Sequence, residues 1–66
     1  MEYTNSQIEA LIAEYIHSER DRGILRRRLI DGICFEALAE EFQMSDRQIK
    51  TIVYRDEKIL FAHIST

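Results

Sequence analysis

Arg47, Lys50, Thr51 and Tyr54 follow one another at offsets of three, four and seven residues, the spacing that gathers side chains on one face of an α-helix. Their shared chemistry is hydrogen bonding to an anionic surface rich in acceptors. A guanidinium donates twice to a single guanine edge, at N7 and O6, whereas an ammonium is a point charge suited to a phosphate or a single acceptor. Arg47 is therefore the candidate base reader, with Lys50 beside it. Thr51 offers a methyl to thymine or a hydroxyl to a phosphate. Asp46 either caps the helix or repels a wrong base. The ligand these residues imply is double-stranded DNA.

Two short helices joined by a tight turn would present that face. Phe35, Leu38, Ala39 and Phe42 recur at i, i+3, i+4 and i+7, and Ile49, Ile52 and Val53 repeat the helical spacing across Gln43-Met44. Ser45 and Gln48 have the spacing of a capping box, in which the serine hydroxyl accepts from the backbone three residues on and the glutamine reaches back. Ala39 leaves room for the branched Ile49 where the helices cross. The expected unit is a helix-turn-helix over residues 34–62 whose second helix enters the major groove. Ser45 caps that reading helix and stands near a phosphate.

The run from Glu19 to Leu60 is similar to region 4 of bacterial sigma factors. The resemblance rests on Glu19-Arg20-Asp21-Arg22, Ile24-Leu25, Leu29-Ile30-Asp31-Gly32, Phe35-Glu36-Ala37-Leu38-Ala39-Glu40-Glu41-Phe42 and Ser45-Asp46-Arg47-Gln48-Ile49-Lys50. Cys34 stands where that family usually has a Ser or Thr cap, and Gln43 where a turn glycine is usual. The promoter-melting and core-polymerase-binding regions of a full sigma factor have no counterpart in the 66 residues. The resemblance thus implies a small stand-alone transcription regulator of the phage or mobile-element kind, with RNA polymerase as a possible partner.

A chain of 66 residues makes one domain, and such a domain buries only about 60% of its unfolded surface. Apolar residues at 45% and charged ones at 32%, with no proline and two glycines, favour an all-α fold over a β-rich or disordered one. The expectation is a small four-helix domain. The single cysteine, Cys34, excludes an internal disulfide and reads as a small buried hydrophobe. His17 and His63 are too far apart in sequence to suggest a metal-ligand set, and no cofactor is implied. Neither a signal peptide nor an apolar run of about eighteen residues is present, so cytoplasm is the default and no membrane is expected.

The net charge of −3 conceals an asymmetry. Residues 1–19 carry four glutamates and no Lys or Arg, a charge of −4, while residues 20–66 carry all nine basic side chains against eight acidic ones, a charge of +1. That footprint is modest for a nucleic-acid binder, so a dimer or a larger complex is expected to help hold the DNA.

Two supporting helices are expected at about 5–17 and 19–31. Asn5 or Ser6 caps the first, and Ile8, Leu11, Ile12, Tyr15 and Ile16 form its buried stripe. The stripe packs on the rest of the domain or docks a second protein. Ser18 with Asp21 signals the second helix, Glu19 and Asp21 favour its positive end, and Gly32 closes it in a left-handed conformation. Arg26, Arg27 and Arg28 cannot share one face, because consecutive helical residues are about 100° apart. Each of them, together with Arg55, is a candidate phosphate contact. Glu36, Glu40 and Glu41 form a solvated face; with no nucleophile or Ser/His/Asp set beside them, the sequence does not read as an enzyme. The tail, Ile59, Leu60, Phe61 and Ile64, either folds back along the first helix or forms a homodimer seam that sets two reading helices about 34 Å apart.

Overall fold

The computed structural model describes residues 3–64, with the backbone alone at Ile64. Among these residues there are four helices and no strand: α1 (Asn5–Tyr15), α2 (Glu19–Leu25, continuing as a π-helical turn over Arg26–Ile30), α3 (Phe35–Phe42) and α4 (Asp46–Ile64). No helix is long and apolar enough to cross a membrane.

Local chemistry accounts for most of the helix ends. Thr4, one residue before the expected Asn5 or Ser6, caps α1: its backbone N–H donates to Gln7 Oε1 at 2.8 Å and its hydroxyl accepts from the Gln7 N–H at 3.2 Å. The amide of Gln7, three residues on, closes the reciprocal box. The helix stops at Tyr15, two residues short of the expected end, because Ile16 takes an extended backbone. The Arg22 guanidinium then donates to the carbonyls of Ile16 and Ala13, placing a positive charge on the negative end of the helix.

Ser18 accepts from the Asp21 N–H at 3.3 Å. At the far end, Gly32 adopts φ +72, as its position after Asp31 requires. The backbone here is one residue wider than an α-helical terminus: Asp31 N–H reaches back to Arg26 O, and Ile33 N–H to Arg27 O.

The link between α3 and α4 shows how this chain manages without the usual glycine. Gln43 takes φ 55, ψ 48, Met44 N–H donates to Ala39 O at 2.8 Å and Gln43 N–H to Glu40 O at 3.4 Å. Together these form a Schellman closure with glutamine at the left-handed position. Ser45 opens α4 with the expected reciprocal cap, both bonds being 3.1 Å.

The core draws on every helix: Ile12 and Ile16; Ile24 and Leu25; Leu38 and Ala39; Ile49, Ile52, Val53 and Leu60. Ile8, Leu11, Tyr15, Leu29, Ile33, Phe35, Phe42 and Met44 pack around it. α2 passes close to α3 at Gly23, where a Cβ would meet the Phe42 ring at an ordinary contact distance of 3.4 Å. α4, about 28 Å long at 1.5 Å per residue, runs most of the molecule's 33 Å length and packs on all three other helices.

Leu60 enters the core, so the tail does fold back, while Ile59 and Phe61 stay on the surface, 38% and 49% exposed. The ring of His63 stacks on Tyr15 at 3.8 Å, tying the last turn of α4 to α1. The Ile64 side chain, expected in a tail seam, lies outside the described residues. Cys34 is exposed, not buried as its type suggested: it occupies the cap position of α3, outside the helix, and makes no side-chain cap bond.

Candidate nucleic-acid interface

Arg47, Lys50, Thr51 and Tyr54 are all exposed on the first half of α4. The helical register adds Lys58 to the stripe, four residues beyond Tyr54. Sequence reasoning passed over Lys58, although the same spacing rule points to it. Thr51 donates its hydroxyl to Arg47 O at 2.9 Å, and the Ser45 hydroxyl is engaged in the cap. Among the described residues no carboxylate lies within ion-pairing distance of Arg47, Lys50 or Lys58.

The four arginines considered for phosphate contact fare differently. Arg26 Nε lies 3.4 Å from Glu9 Oε1, an ion pair without hydrogen-bond geometry. Arg27 forks between Glu41, at 2.9 Å, and Asp31, at 3.0 Å. Those bonds, Glu41's first, raise its already high pKa. Arg55 donates to Asp21 at 3.0 Å and to Asp56 at 3.3 Å.

Among the described residues Arg28 alone of the four has no carboxylate partner: it donates to Ile33 O at 3.0 Å and lays its guanidinium 4.2 Å above the centre of the Phe35 ring. The three consecutive arginines thus go to three destinations, as their angular spacing requires.

Phe35 joins two regions of the chain. Lys50 Nζ stands 5.7 Å from the same ring centre, and the Tyr54 ring meets it edge-on at 5.8 Å and 69°. Beside it a cleft of about 410 Å³ opens between the starts of α3 and α4, lined by Cys34, Phe35, Glu36, Asp46 and Lys50. The sequence marked Phe35 only as part of an apolar stripe. No local pattern could announce that cations from two separate segments converge on it.

On the opposite side of α4, Asp21 and Asp56 are buried, 5% and 2% exposed, and share the Arg55 guanidinium. Arg20 supplies a further ion pair to Asp21 at 3.3 Å. Burial first, and the neighbouring Asp21 carboxylate second, push the Asp56 carboxyl above its ordinary pKa against the pull of Arg55. Asp56 Oδ2 has no hydrogen-bond partner among the described residues. No group of three or more His, Cys, Asp or Glu among the described residues is placed to hold a metal.

Comparison with models of known protein families, with curated proteins and with solved structures found no match. The described residues of the chain form a small all-helical fold with an exposed basic stripe on the longest helix.

Proposed function

We propose that this chain is a sequence-specific DNA-binding regulator of transcription, with α3 and α4 acting as a helix-turn-helix of the sigma region 4 kind and α4 lying in the major groove. The observation that carries the reading is the stripe of Arg47, Lys50 and Lys58, cations without carboxylate partners among the described residues of a chain whose net charge is −3. Elsewhere the guanidiniums of Arg20, Arg26, Arg27 and Arg55 are neutralised by neighbours. Leaving charges exposed and unpaired along one helical face favours a polyanion, whose condensed counterions are released on binding. Arg47 reads a base edge, Lys50, Lys58 and Ser45 lie along phosphates, and Thr51 and Tyr54 complete the contact face. The protein acts by binding, not by catalysis.

The test is fluorescence anisotropy of the purified chain against a randomised duplex pool and promoter-like duplexes at two salt concentrations, beside an Arg47→Ala/Lys50→Ala double variant. Saturable, salt-sensitive binding lost in the variant supports the reading. Absence of binding at low salt by folded protein rejects it.

A second reading, a module that docks on RNA polymerase, another regulator or a second copy, draws on the exposed Ile59 and Phe61. Leu60, in the core, is unavailable to such a seam. Recovery of polymerase from a pull-down, with DNA binding at background, would favour this alternative.

A further inference from the structure

We propose that Phe35 is a positioning residue of the DNA-contacting face, and that Arg28 is the arginine it delivers there. The inference rests on the DNA reading and deepens it by naming which of the four candidate arginines reaches phosphate and what holds it in place. Arg26, Arg27 and Arg55 are each committed to carboxylates. Arg28 is held by a carbonyl and an aromatic ring, neither of which cancels its charge.

The same ring faces the Lys50 ammonium, and the two distances together bound the separation of the cationic groups at about 10 Å. Two like charges so placed repel. The negative quadrupole of the ring offsets part of that repulsion, and a bound phosphate would offset more. The arrangement seeks an anion.

Phe35 is suited to this task by its place in the chain. As the first residue of α3 it lies between the π-helical turn that carries Arg28 and the turn of α4 that carries Lys50 and Tyr54. The edge-on Tyr54 ring supports it from α4. Two long flexible side chains resting on one half-buried ring lose less conformational freedom when they meet DNA than they would from open solvent. The ring therefore sets where the charges sit without touching the nucleic acid.

The experiment compares wild type with Phe35→Leu, which keeps an apolar side chain and removes the ring, and with Phe35→Tyr, which restores it; all are confirmed folded by circular dichroism. In the free proteins, NMR reads the side-chain protons of Arg28 and Lys50. Ring currents should displace them in wild type and Phe35→Tyr, and the displacement should vanish in Phe35→Leu. With a duplex selected from the randomised pool, Phe35→Leu should bind about three- to fivefold more weakly, with recovery in Phe35→Tyr.

Arg28→Gln should flatten the slope of log K against log salt by about 0.9, the loss of one phosphate contact. Wild-type affinity in Phe35→Leu, or an unchanged slope in Arg28→Gln, overturns this inference while the DNA reading stands. Failure of wild type to bind any duplex overturns the DNA reading itself, whatever the ring shifts show.

Discussion

Asp21 on α2 and Arg55 on α4 meet in a 3.0 Å ion pair whose carboxylate side chain is 7% exposed and whose guanidinium is 57% exposed. The same guanidinium holds the adjacent buried Asp56, so one half-solvated arginine serves two carboxylates that would otherwise repel each other. Truncating it strands Asp56 and leaves Asp21 only its ion pair with Arg20. Arg55→Ala should lower stability by roughly 1–3 kcal/mol, less than for a fully buried pair because water reaches the site. Urea denaturation of wild type, Arg55→Ala and the Asp21→Asn/Arg55→Ala double variant checks this. The double variant should recover part of the loss.

Asp56 gives that network a pH signature opposite to the usual one for a carboxylate. Its folded pKa lies above the ordinary value, so the folded chain takes up this proton more readily than the unfolded chain. The stabilising effect of protonation is fully present below the unfolded value of about 3.9 and is lost as pH rises through the folded pKa. Asp56→Asn, which keeps an acceptor for Arg55 and removes the buried charge, should therefore be at least as stable as wild type at pH 7. Its advantage should shrink on acidification through that window. Matched thermal melts at pH 7 and pH 4 measure the difference; a constant gap would remove Asp56 from the account.

The two departures from the resembled pattern should each be improvable. Cys34 caps α3 without a side-chain bond, so Cys34→Ser should add about 0.5–1 kcal/mol. Gln43 takes a left-handed conformation that costs a non-glycine residue about 1 kcal/mol, so Gln43→Gly should stabilise by somewhat less, since glycine is also freer in the unfolded chain. Chemical denaturation of the two single variants and their combination measures both gains.

On DNA, Arg47→Ala should cost about 1–3 kcal/mol on the preferred site and little elsewhere, whereas Lys50→Ala and Lys58→Ala should weaken all sequences evenly. Competition titrations against a selected duplex and scrambled DNA separate the two behaviours. Equal losses on every sequence from Arg47→Ala would end its base-reading role.

What the sequence determined by itself was whatever depends on residues a few positions apart. The stripes of α1, α3 and α4 were legible because a helix repeats every 3.6 residues. The Ser45–Gln48 box and the Gly32 terminus were legible because their bonds close over three to six residues. Thr4 was missed by one position, since several polar residues in a row offer equivalent caps. The division of the tail was half legible: Leu60 and Phe61 cannot share a face, but which of them enters the core depends on how α4 is rotated against α1.

Only the tertiary structure decided where the charges went. Asp21 looked like a first-turn carboxylate favoured by its own helix, and its partner lies 34 residues away. Arg26, Arg27 and Arg28 are chemically identical and adjacent, yet one faces Glu9, one Glu41 and one Phe35. Those destinations follow from the π-helical turn and from the crossing of α2 with α1 and α3, which no local pattern encodes. The physical reason is one of range: backbone hydrogen bonds and helical periodicity act within a few residues, whereas the pairing of a long charged side chain depends on which surfaces the packed core brings within reach.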